Sequence, residues 1–284
     1  MRLSILLFLI PVLGFSQNLK SGGKLKPVQA NMDIRHYTLS LNIDPDQKSI
    51  NGFTEIELIL QQPTKNLLFD LWHEYTVSKV SVNGQTVLFK LTPEDMIEIT
   101  LANEVSGKQK VKIEYSGKPA IAERAPWTGG FQWDKDSKGN PWIAITCQGE
   151  GGKIFFPCKD HPSDEPNEGA DLFLTVPKGL IAAGPGLLIR QTTKGSKTTF
   201  HWKTNYSISN YCLVFNIGKY SKVSKMYTTV NGNKVPMDFY VLEENAGKAM
   251  YELDLLERSC QILEKYFGEY SSFVNQIEFW PAHF

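Results

Sequence analysis

The strongest constraint on the fold is an alternation of apolar and polar residues that begins at Tyr37 and returns at intervals up to Tyr115. Successive side chains of a β-strand point to opposite faces, so a period of two is typical of strands with one buried face. The apolar positions are Tyr37, Leu39, Leu41 and Ile43, then Phe53, Ile56 and Leu58, then Val80 and Val82, then Ile97, Ile99 and Leu101, then Val111, Ile113 and Tyr115. This pattern predicts a mainly β domain.

Turn-forming residues separate these strands. They are Asp44-Pro45-Asp46, Asn83-Gly84, Ser106-Gly107-Lys108 and Ser116-Gly117-Lys118-Pro119. Short strands joined by tight turns pair antiparallel. We therefore predict an antiparallel β-sandwich or saddle of sheets.

Strands are predicted again in the second half of the chain, after an aperiodic stretch at residues 123–140 that we interpret as a long excursion over the sandwich. The predicted strands cover residues 142–146, 172–176, 198–202 and 211–217, followed by a hairpin over 227–242 that turns at Asn231-Gly232.

Near the end of the chain the apolar period changes from two to between three and four. The apolar stripe consists of Ala249, Leu253, Leu256, Cys260, Leu263 and Phe267. This spacing predicts an amphipathic helix over residues 247–267 that stops at Gly268. The helix needs a surface to cover its stripe, so it either docks on the sandwich or begins another, helical domain.

The first residues are typical of a secretory signal. Arg2 precedes an apolar run over residues 3–13, and Gly14 and Ser16 stand at −3 and −1 of a cleavage site before Gln17. The run is too short to span a bilayer. We expect export to the periplasm or the medium, without stable membrane insertion.

Charge and cysteine content exclude some classes of partner and site. Thirty basic and thirty acidic side chains leave no net charge, so a nucleic-acid binder is not expected. The cysteines form no CxxC pair, so a zinc ribbon is not expected either. Two strands of a hairpin could bring Cys147 and Cys158 together as a disulfide, and two buried thiols are an equal alternative.

Candidate metal sites are weak. His73-Glu74 begins a His-Glu-x-x-His pattern, but Val77 stands where the second histidine is needed, and residues 67–82 look like a strand rather than a helix. Polar residues on the solvent face of a strand are the better interpretation. An acidic cluster of Asp160, Asp164 and Glu165 beside His161 could bind a hard cation such as calcium, or could be a solvated loop.

One segment carries a specific resemblance. Within residues 143–162, Gln148 is followed by Lys153 and then by Phe156-Pro157-Cys158-Lys159-Asp160-His161-Pro162. This resembles the aminopeptidase N and leukotriene hydrolase family of zinc metallopeptidases. Residues 33–37 resemble the opening strand of that family, and residues 174–177 with 182–186 resemble a later strand and its turn.

The resemblance implies a division into domains. In the family an N-terminal β saddle precedes a thermolysin-like domain, which holds zinc through His-Glu-x-x-His and a more distant Glu. We therefore expect a signal peptide at 1–16, the β domain at 17–243 and the start of an incomplete catalytic domain at 244–284. A complete enzyme would remove N-terminal residues from peptides by means of a zinc-activated water.

The same resemblance bears on the site residues. Gln148 matches a family Gln or Glu that reaches from the saddle and helps bind the amino terminus of the peptide substrate, and Glu150 is a weaker candidate for that subsite. The 284 residues contain neither His-Glu-x-x-His nor a Gly-x-Met-Glu-Asn motif. We therefore assign no catalytic residue, no metal ligand and no bound cofactor to this chain, and expect it to be inactive alone.

Two other functions stay open on the sequence. A secreted β-sandwich could grip a peptide or a glycan on the aromatic loop around Trp127, Phe131 and Trp133. An inactive relative of the enzyme kept as a scaffold would have the same sequence features.

Overall fold

The computed structural model describes residues 21–269 and 277–279. Its strands in chain order are β1 (Met32–Asp44), β2 (Ser49–Asp70), β3 (Thr76–Val82), β4 (Gln85–Thr86), β5 (Phe89–Thr92), β6 (Met96–Gly117), β7 (Gly130–Lys135), β8 (Pro141–Thr146), β9 (Ala170–Pro177), β10 (Ile181–Ala183), β11 (Leu187–Lys194), β12 (Lys197–Thr204), β13 (Asn216–Gly218), β14 (Tyr220–Thr228), β15 (Lys234–Leu242) and β16 (Ile277–Phe279). The helices are α1 (Pro27–Ala30) and α2 (Ala249–Phe267), with 3₁₀ turns at Gly152–Ile154, Asn210–Cys212 and Glu243–Lys248. The prediction of a mainly β chain is confirmed.

The largest sheet has nine strands in the order β11-β12-β9-β1-β2-β6-β3-β4, and β5 pairs separately with β6. The neighbours pair antiparallel, as predicted, except that β1 and β9 run parallel. The alternating residues of β1 that predicted it, Tyr37 to Ile43, are buried on one face. The parallel pair joins the first part of the chain to the part after residue 170.

A second sheet, in the order β10-β13-β8-β7, shares one hydrophobic core with the large sheet. Large side chains from both sheets and from the connection after β8 fill this core. Examples are Phe131, Trp142, Phe155, Phe156, Phe200 and Trp202. The two sheets therefore form the predicted layered β domain, with the segment after β8 enclosed in it.

A smaller core lies between α2 and a third sheet, β14-β15-β16. Its members are Tyr227, Met237, Phe239, Val241, Ala249, Leu253 and Cys260. The helix thus packs against the β14–β15 hairpin that precedes it. The predicted helix is present, but the last two residues of its stripe, Leu263 and Phe267, are 55% and 83% exposed and lie outside this core.

Buried Glu264 replaces the expected apolar residues at the end of α2. Its Oε2 accepts hydrogen bonds from Tyr227 Oη at 2.6 Å and from the backbone N–H of Val230 at 2.8 Å. The last turn of the helix therefore faces the hairpin with a carboxylate. A search for apolar periodicity does not detect such a contact.

Several predicted strand boundaries are wrong, because pairing with neighbouring strands outweighs the turn or strand preference of the local sequence. Residues 106–108 do not end a strand but lie inside β6, where Gly107 adopts a φ of +66°. Strand β7 lies inside the predicted excursion at 123–140, and the predicted strand over 211–217 is a 3₁₀ turn followed by the short β13. Strand β11 is an edge strand with mostly exposed residues, so it lacks the alternation that reveals a strand.

The signal peptide predicted at 1–16 lies outside the described residues. Within residues 21–269 and 277–279, no helix is long and apolar enough to cross a membrane.

Candidate functional site

Gln148 lies on a tight turn that follows β8. The backbone N–H groups of Glu150 and Gly151 both donate to the carbonyl oxygen of Cys147, at 3.1 and 3.0 Å. Gly149 and Gly151 have φ values of +74° and +80°, which residues with a Cβ rarely adopt. The glycines therefore allow the turn, and the turn leaves the side chain of Gln148 exposed.

The segment after the turn is a buried anchor. Phe155, Phe156 and Cys158 have no exposed surface. Tyrosine hydroxyls hold its backbone: Tyr75 Oη donates to Ile154 O at 3.0 Å and Tyr115 Oη donates to Phe155 O at 2.7 Å. The Phe-Pro-Cys element that carried the resemblance thus fixes the Gln148 turn to the core and exposes no reactive group.

The acidic cluster after this anchor is partly paired with a buried ammonium group. Lys159 Nζ lies 2.9 Å from Asp164 Oδ2 and donates to Met32 O at 2.6 Å. His161 Nδ1 lies 2.7 Å from Ser163 Oγ. In the part of the chain that the structure describes, no group of three His, Cys, Asp or Glu side chains is placed to hold a metal ion. These contacts do not support the calcium hypothesis.

A cavity of about 290 Å³ opens beside the turn. It is lined by Ser21, Gly22, Cys147, Gln148, Gly149, Gly151, Asp160, His161, Pro162, Ser209, Asn210 and Tyr211. Gln148 is therefore at the cavity, whereas Glu150 is not among its lining residues. The Glu150 side chain instead packs on Gly129, where an added Cβ would come within 2.4 Å of Glu150 Cγ.

Tyr211 was missed by the sequence analysis. It lies in the 3₁₀ turn Asn210–Cys212 and its ring is 52% exposed at the cavity. The sequence predicts a strand over residues 211–217, so Tyr211 was interpreted as one of its alternating residues and not as part of a site. The adjacent Asn210 holds this turn against the anchor, since its Nδ2 donates to Lys159 O at 2.6 Å, and no pattern in the sequence indicates that contact.

Burial dominates the electrostatics of the cavity. It raises the pKa of Asp160 to about 6, and the nearby charge of Asp70 acts in the same direction, against a hydrogen bond from Ser21. Burial also raises the pKa values of the Cys147 and Cys158 thiols. Both cysteines are free in the structure, which corresponds to the buried-thiol alternative.

Three of the four histidines in the described residues, His36, His73 and His201, have carboxylate partners. His73 lies in the turn between β2 and β3, not in a strand, and its Nδ1 is 2.8 Å from Asp95 Oδ1. His36 Nε2 and His201 Nε2 lie 3.1 and 2.5 Å from the carboxylate of Asp171. Among the residues that the structure describes, these histidines are not grouped with two further ligands that could hold a zinc ion.

The aromatic loop does not form the platform that a binding module would need. Trp127 is 67% exposed, but Phe131 is fully buried. Trp133 stacks on Phe131, with ring centroids 5.3 Å apart. Two of the three aromatic residues thus belong to the core or its edge.

Comparison with known proteins agrees with this architecture. Residues 34–212 match the family model described as the peptidase M1 N-terminal domain. The chain is 26% identical over 202 residues to leukotriene A-4 hydrolase from Xenopus laevis, covering 66% of this chain and 31% of that protein. It is 22% identical over 249 residues to endoplasmic reticulum aminopeptidase 1 from Rattus norvegicus, covering 82% and 26%. The chain thus spans less than a third of the length of these relatives.

Solved structures show the same fold. An M1 zinc metallopeptidase E323A mutant from Deinococcus radiodurans superposes with a TM-score of 0.71 at 22% identity, covering 90% of this chain and 58% of that one. The same mutant has been solved bound to a Tyr-Ser-Ala substrate. Native yeast leukotriene A-4 hydrolase gives a TM-score of 0.68 at 17% identity, covering 88% and 38%. Because the family model covers most of the sequence, from β1 to the turn that carries Tyr211, the chain belongs to the peptidase M1 N-terminal domain family.

Proposed function

We propose that this chain is the N-terminal β domain of an exported zinc aminopeptidase and that Gln148 helps to bind the free amino terminus of a peptide substrate. The observation that carries the proposal is the exposed side chain of Gln148 on a glycine turn whose following residues are fixed in the core. A binding group on a rigidly held loop loses little conformational entropy when ligand arrives.

The chemistry of the carboxamide suits an ammonium ligand. The Gln148 side-chain oxygen can accept a hydrogen bond from a charged N–H, and such bonds are stronger than those between neutral groups. Tyr211, which also lines this cavity, offers an aromatic surface for the first side chain of the peptide. Glu150 remains a weaker candidate, since its side chain packs on Gly129.

Hydrolysis would need residues outside this chain. The sequence contains no His-Glu-x-x-His, and within the described residues no three His, Cys, Asp or Glu side chains are placed to hold a metal ion. We therefore infer that the chain alone does not cleave peptides, and that residues 17–243 form the β domain while 244–284 begin the next one. The shared core of α2 with the β14–β15 hairpin would make these elements the junction between the two.

Export is proposed from residues 1–16 alone. Expression with the natural N-terminus in a bacterial host should give a periplasmic or secreted product that begins at Gln17. N-terminal mass determination tests this. A product that retains Met1 in the cytoplasm would remove the export proposal and leave the domain assignment intact.

The role of Gln148 is tested in the enzyme made from the complete reading frame, read beyond Phe284. That frame should encode Gly-x-Met-Glu-Asn and then His-Glu-x-x-His. In that enzyme Gln148→Ala should raise KM for peptides with a free amino terminus by about tenfold, because one hydrogen bond to a charged group is lost. Gln148→Glu, which keeps an acceptor oxygen, is the matched control and should preserve most of the affinity. Unchanged KM in Gln148→Ala would refute this role.

A further inference from the structure

The carboxylate of Asp160 supports the turn that carries Gln148. Its Oδ1 accepts the backbone N–H of Gly152 at 3.1 Å. A Cβ added to Gly151 would lie 2.1 Å from the same oxygen, so the carboxylate fills the space against the turn. The end of the turn therefore rests on an acidic side chain.

Asp160 is itself held by the large sheet. Its backbone N–H donates to Asp70 Oδ2 at 3.0 Å, and that carboxylate also accepts Gln29 Nε2 at 2.6 Å. The backbones of Asp70 and Cys158 exchange two hydrogen bonds, of 2.7 and 3.0 Å. Asp70, the last residue of β2, thus fixes the position of Asp160. The carboxylate of Asp160 in turn fixes the backbone of Gly152.

We propose that Asp160 is the positioning residue of the Gln148 turn: its ionised carboxylate holds the turn in the observed conformation, and protonation of that carboxylate loosens it. The physical reason is that a hydrogen bond to a charged acceptor is about twice as strong as one to a neutral acceptor. The consequence for peptide binding rests on the proposed function, whereas the positioning of the turn does not.

The surroundings of Asp160 determine where it titrates. The titratable or charged groups that face it or share its cavity are Asp70, Lys153, Cys147, Cys158, His161 and Tyr211. Burial and the charge of Asp70 keep the pKa of Asp160 at about 6, against the opposing effects of Ser21 and Lys153. The carboxylate of Asp160 therefore changes its protonation state around pH 6.

Glycine amides report directly on the turn. The full chain labelled with ¹⁵N-glycine gives separate signals for Gly149, Gly151 and Gly152, and Gly84 and Gly232 in distant hairpins serve as references. Between pH 4.5 and 8, the three turn glycines should shift with a common midpoint near pH 6. The reference glycines should not follow that midpoint. A titration confined to Gly152 would overturn the proposal, because the rest of the turn would then not depend on Asp160.

Two variants separate the effect of Asp160 from that of its neighbour His161. Asp160→Asn keeps an oxygen that can accept the Gly152 N–H, but this oxygen is neutral and cannot titrate, so the turn signals should lie near their low-pH positions at every pH. His161→Gln should leave the wild-type midpoint unchanged. The opposite pattern, a titration that survives Asp160→Asn and disappears in His161→Gln, contradicts the proposal. If the turn titrates as expected but Gln148→Ala does not change KM, the positioning role stands and the peptide role falls.

Discussion

At the scale of single residues, the tyrosine hydroxyls that hold the anchor contribute measurable stability. Tyr115→Phe removes the donor for Phe155 O and leaves a buried carbonyl unsatisfied. The free energy of unfolding should fall by about 1 to 3 kcal/mol. Urea unfolding measures it, and Tyr251→Phe, at an exposed position on α2, is the matched control. An equal, near-zero effect of both substitutions would contradict the anchoring role of Tyr115.

Asp171 gives the chain a specific acid dependence. Burial disfavours its ionised form, but hydrogen bonds from His36, His201 and Lys203 outweigh burial and hold the pKa well below its usual value. The unfolded chain therefore takes up this proton first on acidification, so the stabilisation is complete above about pH 5 and is lost as the pH falls below 4. Asp171→Asn should thus be less stable than wild type at pH 7, and the difference should shrink between pH 4 and 3. A constant difference over this range, measured by unfolding at each pH, would exclude the mechanism.

At the scale of elements, α2 provides the clearest test of how the helix packs. Leu253 is fully buried against β15, whereas Leu263 on the same helix is exposed. Leu253→Ala should therefore destabilise the chain by about 2 to 5 kcal/mol, through lost burial and a cavity. Leu263→Ala is the matched control and should change stability little. Denaturant unfolding of both variants measures the difference, and the reverse order would mean that the helix presents the other face to the hairpin.

The sequence predicted elements well where one face of a strand is buried and poorly where it is not. Strand β1 and the turn at Asn83-Gly84 were predicted correctly, because the alternation of a strand and the residues of a tight turn are visible in a few consecutive residues. Exposed β11 carries no such alternation, and the strand through Gly107 depends on its pairing with β2. The sequence did not reveal that Leu263 and Phe267 are exposed, because the end of α2 contacts the hairpin through hydrogen bonds to Glu264 and not through apolar residues.

The candidate site shows the same limit. Gln148 came from the resemblance, since a Gln beside glycines carries no chemical pattern of its own. The supporting role of Asp160 could not be predicted, because it depends on a hydrogen bond to Gly152, 8 residues away in the chain. The position of Tyr211 could not be predicted either, because a 3₁₀ turn from a distant segment brings it to the cavity.

At the scale of the whole molecule, the two sheets, the buried anchor and the Gln148 turn form one connected structure. Two sheets enclose the anchor, the anchor presents the Gln148 turn at a cavity, and a hairpin with α2 forms a separate small core beyond them. The exposed apolar residues of α2, among them Ile262, Tyr266 and Phe267, form a face that a following domain would cover. The proposed role in substrate binding requires such a fixed turn at a cavity.

The most direct test of this account is a measurement on residues 17–284 alone: metal content after equilibration with zinc, and release of a chromophore from aminoacyl anilides. We predict less than stoichiometric zinc and no turnover above the uncatalysed rate. One tightly bound zinc ion per chain, with turnover that a chelator abolishes, would contradict the proposal that residues 17–284 do not cleave peptides alone.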